Sequence, residues 1–314
     1  MSRSILVIDP DAGFFKQRLE AAFRGLEVKA ARSSDEALRF VGEVEVFAGL
    51  PRFFRDDMVR EAKRLKWIQL FTTGTDHITG MASLKPDTLV TSTRGMHGPQ
   101  MAEMALMLML ALARDLPRMV RNQAKGVWER FLQRRLYGKR VLIFGVGLIG
   151  EELGLRCKAL GMTVTGVTNT PRIVPGFDRM VPRSELLQAA GGADFLVVLV
   201  PADPSTDKIV NRELLRAMKP SAYLVNIARG SVCDEQALAE ALREKRIAGA
   251  GLDVFQTEPL PADSPLWRMQ NVIVTPHQGG QCDVYNELVL EIFQKNLHCF
   301  LEDRVADMVN LVPH

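Results

Sequence analysis

Short runs of consecutive apolar residues alternate along this chain with longer stretches whose apolar positions recur every three or four residues. Ile5–Ile8, Val44–Ala48, Trp67–Phe71 and Thr88–Thr91 read as short strands, set apart by clusters of Gly, Pro and charged residues. Phe14–Phe23 has helical spacing. A second, cleaner alternation begins at Arg140, with strands expected over Val141–Phe144, Thr163–Val167, Phe195–Val200, Ala222–Ile227 and Val272–Thr275. Ser184, Asn211 and Asp234 stand as N-cap candidates for the helices between them. Strands that are apolar throughout must be covered on both faces, so the alternation implies parallel sheets sandwiched by helices. Tyr285–Leu301 reads as one amphipathic helix. Met101–Arg114 is different, because it is apolar nearly all the way round and broken only by Glu103. A helix with no polar face has to be buried on every side, and here the expected cover is a second copy of the chain in a homodimer.

Composition changes this picture little. A chain of 314 residues has room for two domains, and 47% hydrophobic with 25% charged residues is an ordinary globular balance. The net charge of +3 is too weak to argue for nucleic acid. One local excess, from Arg114 through Arg118, Arg121, Lys125, Arg130, Arg134 and Arg135 to Arg140, reads as a solvated helix face and connector. The apolar stretch Ala105–Ala113 is about half a membrane span, and the opening run meets Asp9 too soon for a signal segment. A cytoplasmic protein with no membrane partner is expected. Cys157, Cys233, Cys282 and Cys299 are widely spaced with no C-x-x-C pattern, which argues against a metal site or a disulfide framework.

The strongest local signal is Gly145-Val146-Gly147-Leu148-Ile149-Gly150, which follows an apolar strand and opens a helix. Gly145 permits a tight turn, Gly147 lets backbone N–H groups approach a pyrophosphate, and Gly150 lets helix and strand pack closely. The helix N-terminus adds partial positive charge for the anion. Leu153, Cys157 and Leu160 are the expected buried stripe of that helix, with Gly161 as its left-handed cap. About twenty residues past such a turn, an NAD-binding fold places an acid on the ribose hydroxyls. Here the position is Thr168, followed by Asn169, Thr170, Pro171 and Arg172. With no acid to repel it, and with small polar groups and an arginine to hold it, a 2′-phosphate suits this loop better. NADP is therefore the expected cofactor, with NAD as the alternative.

Three further islands sit after strands or close to them: Asn226-Ile227-Ala228-Arg229-Gly230, Gly251 to Leu260, and Thr275-Pro276-His277-Gln278-Gly279-Gly280. In an open α/β sheet the ligand crevice lies at the carboxyl ends of the strands, so Arg229, Glu258 and His277 can converge though distant in sequence. Each type has a task in reducing a 2-oxo acid. A guanidinium pairs with a carboxylate through two parallel hydrogen bonds and polarises the neighbouring carbonyl. A histidine exchanges the proton as hydride moves. A carboxylate beside that histidine fixes its tautomer and stabilises the imidazolium.

With these residues in place, the sequence resembles the D-isomer-specific 2-hydroxyacid dehydrogenases, the family of phosphoglycerate, glyoxylate and hydroxypyruvate reductases. The likeness covers nearly the whole chain and includes Thr73-Gly74-Thr75-Asp76-His77-Ile78, Ala102-Glu103 with the apolar helix behind them, the glycine turn and the three islands. The resemblance implies an oxidoreductase that transfers a hydride between a nicotinamide cofactor and a small 2-oxo or D-2-hydroxy acid, of glyoxylate or hydroxypyruvate kind. It implies Arg229 on the substrate, Glu258 assisting, and His277 as acid/base. Asp253 falls near the nicotinamide carboxamide, and Leu148 and Ile149 make backbone contacts to the pyrophosphate. Gly74 and Thr75 hold the substrate carboxylate through backbone N–H groups, and Arg94 is counted with them. Pro201, Ala228 and Gly279 complete the expected cofactor contacts. Gln278 departs from the family, many members of which have an apolar residue after the histidine. The implied fold is α/β, with two doubly wound parallel-sheet domains. Residues 1–93 plus 284–314 would form a flavodoxin-like substrate domain, and 94–283 a Rossmann dinucleotide-binding domain. The alternative in the same family is a nucleotide-sensing, corepressor-like binding protein.

Overall fold

The computed structural model describes residues 4–314. The chain divides into two compact units, Met1–Met96 with Cys282–His314, and His97–Gln281. In the first, strands β1 (Ser4–Ile8), β2 (Glu27–Ala31), β3 (Val46–Gly49), β4 (Trp67–Leu70) and β5 (Leu89–Thr91) form one parallel sheet in the order β2-β1-β3-β4-β5. In the second, β6 (Arg140–Phe144), β7 (Thr163–Thr168), β8 (Arg179–Pro182), β9 (Phe195–Val198), β10 (Tyr223–Asn226), β11 (Gly249–Leu252) and β12 (Val272–Val274) are also all parallel. Their order is β12-β11-β10-β9-β6-β7-β8. The first order is that of flavodoxin, and the second is the dinucleotide-binding order extended by one strand. Both sheets are doubly wound.

The apolar runs explain this layering. Successive side chains of a strand point to opposite faces, so a run with no polar position feeds two cores. Ile5 and Val7 join Phe15, Trp67 and Phe293 on one face of the first sheet, while Leu6 and Ile8 join Phe47, Met58 and Ile68 on the other. In the second sheet Val141 and Ile143 pack with Leu108 and Leu153, and Leu142 and Phe144 with Leu196 and Leu224. Each such side chain, fully withdrawn from water, contributes about 1.5–3 kcal/mol.

The short Gly-Ala-Gly-Leu strand β11 escaped the sequence reading, because two of its four positions carry no side chain to form an apolar run, and so did β2 and β8. The latter two lie at sheet edges, where half of the surface faces water and Glu-Val-Lys-Ala-Ala or Arg-Met-Val-Pro suffices. Asn211 and Asp234 do cap their helices, accepting from the N–H groups of Leu214 and Ala237. Ser184 does not: it lies inside the 3-10 turn Arg183–Glu185, and Glu185 precedes the helix Leu186–Gly192 without a side-chain cap. Leu160 is 41% exposed and leaves the expected stripe, because it sits at the helix end, where Gly161 (φ +72°) turns the chain away.

The apolar helix runs over Gly98–Ala113, with Pro99 in its first turn, and packs on β10, β11 and the helix Leu148–Ala159. Within one chain it is not covered all round, since Met107 and Leu110 are 45% and 43% exposed. No helix among the described residues is long and apolar enough to cross a membrane.

A buried polar network lies in the first unit. Trp67 Nε1 donates to Thr91 Oγ1 (2.8 Å), and Thr91 Oγ1 donates to Gln69 Oε1 (2.8 Å). Asn296 Nδ2 reaches the same oxygen at 3.1 Å, and its own Oδ1 accepts from Val309 N–H at 2.8 Å. Asn296 is fully buried on the helix Tyr285–Leu301, so it ties that helix and the C-terminal segment to the sheet. Asn296→Leu should destabilise the chain by about 1–3 kcal/mol, the cost of leaving its buried partners unsatisfied. Urea denaturation checks this, and an unchanged midpoint would contradict it.

Candidate active site

The candidate residues of the second unit lie at the carboxyl ends of strands or in the segments that follow them. The turn after β6 begins at Gly145 with φ +105°, and a Cβ there would fall 2.7 Å from the backbone of Leu199 and Val200. A Cβ on Gly150 would stand 2.5 Å from the Gly145 carbonyl oxygen. Both glycines are therefore demanded by the fold itself. Gly147 is not: its backbone is extended (φ −101°, ψ −161°), and a Cβ would meet nothing within 4 Å. The protein leaves open space at Gly147, beside the N–H groups of Leu148 and Ile149, which the helix Leu148–Ala159 cannot satisfy in its first turn. That opening fits the pyrophosphate of a dinucleotide.

Thr168 closes β7, next to the glycine turn, where Gly145 N–H donates to Val167 O at 3.1 Å. Asn169 and Thr170 are exposed. Arg172 folds back against the turn: its guanidinium donates to Val146 O at 3.3 Å and pairs with Glu151 at 2.6 Å. Pro201 opens the loop after β9, and its carbonyl accepts from Thr206 Oγ1 at 2.8 Å.

Beyond β10, Asn226 clamps its own turn. Its buried side chain accepts from Ala228 N–H (3.1 Å) and donates to Arg229 O (3.1 Å). Arg229 is partly buried and donates to Ala228 O at 2.8 Å. Gly230 cannot be anything else, because a Cβ would lie 1.9 Å from the Phe255 carbonyl.

Asp253, at the end of β11, is almost wholly buried and holds the third island. Its Oδ1 accepts from Thr275 Oγ1 (2.5 Å) and Gln278 N–H (3.1 Å), and its Oδ2 accepts from Gly279 N–H (2.9 Å). His277 is thereby held with φ +49°, a left-handed backbone that non-glycine residues seldom adopt. Its Nδ1 lies 2.6 Å from Glu258 Oε2, while Glu258 Oε1 accepts from Phe255 N–H at 3.0 Å. Because the carboxylate can only accept, Nδ1 carries the hydrogen and Nε2 is left for a reacting oxygen.

Neither His97 nor Glu151 is among the site residues expected from the sequence. His97 packs on the 277–280 loop, where a Cβ at Gly280 would fall 2.9 Å from its ring. Burial first, and then the positive charge of Arg229, push its pKa down to about 4, so its ring is neutral at pH 7. Nothing in local spacing marks either residue, since their neighbours here come from other strands.

Gly74, Thr75 and Arg94 belong to the first unit, after β4 and β5. Thr72 Oγ1 donates to Gly74 O (3.0 Å), Thr75 precedes the helix Asp76–Thr79, and the Arg94 carbonyl accepts from Asn310 Nδ2 at 2.8 Å. Among the described residues no group of three or more His, Cys, Asp or Glu is placed to hold a metal ion. Cys157, Cys233 and Cys299 are buried free thiols, and burial pushes Cys157 up to about 12.

A dinucleotide turn followed by a His–Glu pair and an arginine on later strands defines a nicotinamide-dependent dehydrogenase. Residues 106–279 match the family described as D-isomer specific 2-hydroxyacid dehydrogenase, NAD binding domain. The chain belongs to that family. It is 36% identical over 256 residues to a glyoxylate reductase of Thermococcus onnurineus, covering 78% of this chain and 75% of the relative. It is 34% identical over 300 residues to a D-3-phosphoglycerate dehydrogenase of Methanocaldococcus jannaschii, covering 87% of this chain but only 57% of that longer enzyme. A D-isomer specific 2-hydroxyacid dehydrogenase from Xanthobacter autotrophicus, solved with NADPH and MES, superposes with a TM-score of 0.85 at 30% identity, covering 99% of this chain and 98% of that one.

The contrast among the glycines can be tested directly. Gly150→Ala should cost about 1–3 kcal/mol of stability, as overpacking does. Gly147→Ala should cost under about 1 kcal/mol, the N-cap preference for Gly over Ala. It should nevertheless weaken NADPH binding about tenfold or more, since a lost charge-assisted hydrogen bond is worth ~1.5–3 kcal/mol. Thermal melts and nucleotide fluorescence titrations read the two effects; Gly147→Ala with unchanged affinity would reject the cradle.

Proposed function

We propose that this protein reduces small 2-oxo acids of glyoxylate or hydroxypyruvate kind to D-2-hydroxy acids, using NADPH in preference to NADH. The observation that carries this reading is the 2.6 Å contact between His277 Nδ1 and Glu258 on loops beyond β12 and β11. The nicotinamide, when bound, supplies or accepts the hydride. Arg229 pairs with the substrate carboxylate and polarises its carbonyl. The imidazolium form of His277, stabilised by Glu258, gives its Nε2 proton to the carbonyl oxygen; the neutral ring keeps its Nδ1–H on Glu258 and then takes a proton at Nε2 from solvent. Asp253 and Gly279 set the height of the histidine loop, and backbone groups at Ala228 and Pro201 border the nucleotide. The second unit is the dinucleotide domain. Gly74, Thr75 and Arg94, which belong to the first unit, are the further substrate-binding residues of this reading. NADPH is favoured because Thr168 offers no negative charge against a 2′-phosphate, with Asn169, Thr170 and Arg172 nearby; the Xanthobacter relative was solved with NADPH.

The reading also includes a homodimer. Met107 and Leu110 are joined by Leu116 and Val120 on the next helix and by Trp128 and Leu132, which are 94% and 102% exposed. Monomeric soluble proteins seldom leave such a stretch to water, and a second copy of the same helix and connector would cover it.

With glyoxylate and hydroxypyruvate as substrates, kcat/KM should be higher with NADPH than with NADH, and His277→Ala should lower kcat by ~10²–10⁴ while keeping NADPH binding. Turnover of neither acid, or a near-normal kcat in His277→Ala, overturns the assignment; a clear NADH preference overturns the cofactor choice. Light scattering at micromolar concentration should give a dimer, and a clean monomer would refute that state.

A further inference from the structure

The glycine turn carries a charge that its proposed ligand does not want. Glu151 stands in the first turn of the helix Leu148–Ala159, whose N-terminus faces the nucleotide cradle. Its carboxylate takes the Arg172 guanidinium at 2.6 Å, and the same guanidinium nitrogen lies 3.3 Å from Val146 O, between Gly145 and Gly147. The end of β7 is bonded to this turn through Gly145 N–H and Val167 O, so Arg172 sits where turn and strand end meet. In a doubly wound sheet of this order that is the side on which the adenosine ribose lies.

We propose that Glu151 is a selectivity residue, which competes with the 2′-phosphate of NADPH for Arg172 and so restrains the preference for the phosphorylated cofactor. This rests on the reading that the chain binds NADPH. One guanidinium has two claimants, a carboxylate of one charge and a phosphate monoester of about −1.5 to −2 at pH 7. The phosphate is the stronger partner, but its net gain is reduced by the ion pair it must break. Both side chains are partly exposed, Arg172 at 49% and Glu151 at 39%, so the guanidinium is free to swing and the pair itself is weak. The restraint is correspondingly modest, about two- to fivefold in affinity.

Two nucleotide fragments separate this from a general charge effect. Purified wild-type, Glu151→Gln, Arg172→Ala and double-variant proteins are titrated calorimetrically with 2′,5′-ADP and with 5′-AMP. Glu151→Gln should bind 2′,5′-ADP about two- to fivefold more tightly, with 5′-AMP changed less than that. In the Arg172→Ala background the gain should vanish. Equal tightening of both fragments, no tightening, or a gain that persists without Arg172 overturns the proposal. A wild-type protein that binds the two fragments equally overturns the NADPH preference instead; Glu151 is still judged by whether its variant gains selectively. Binding of neither fragment overturns both.

Discussion

The candidate site depends on one buried carboxylate. Asp253 collects three hydrogen bonds from the Thr275–Gly279 segment, and its own N–H donates to Asn226 O at 3.0 Å. Through these bonds the ends of β10 and β11 and the loop beyond β12 become one rigid piece. A carboxylate withdrawn from water is costly unless its oxygens are satisfied, so the loop and the aspartate hold each other. His277 can then be kept in a left-handed backbone that the loop alone would not choose. The aspartate that the family resemblance set beside the nicotinamide thus has a structural task as well: it aims the histidine.

The glycines around this piece divide by cause. Gly145, Gly150 and Gly230 are required because neighbouring backbone passes too close for any side chain. Gly279 lets its N–H reach Asp253 Oδ2, which would stand 2.9 Å from a Cβ at that residue. Gly147 has neither strain nor a neighbour within 4 Å, and the open space at this N-cap position fits a ligand. This distinction between what folding needs and what binding needs is the most direct physical evidence for a nucleotide in the second unit.

Electrostatics around the cradle are balanced rather than simply positive. Arg229 donates to the Ala228 carbonyl at 2.8 Å, and burial together with the positive charge of Arg229 keeps the His97 ring neutral. Arg172 is differently placed, because Glu151 already draws on its charge.

The sequence by itself determined the layering and named the candidate chemistry. Apolar runs such as Ile5–Ile8 and Val141–Phe144 read as strands buried on both faces, and the glycine turn, Arg229 and His277 stood out as candidates because each sits in a short island after such a run. Edge strands β2 and β8 did not stand out, since half-exposed strands do not need apolar runs. The exposure of Leu160 was hidden too, because helical periodicity gives a face but not where the helix ends. Only the tertiary structure decided that Asp253 supports the histidine loop, that His97 stays neutral beside Arg229, and that Glu151 holds Arg172. These are contacts between residues far apart in sequence, and their energies depend on distance and burial, which no local spacing encodes.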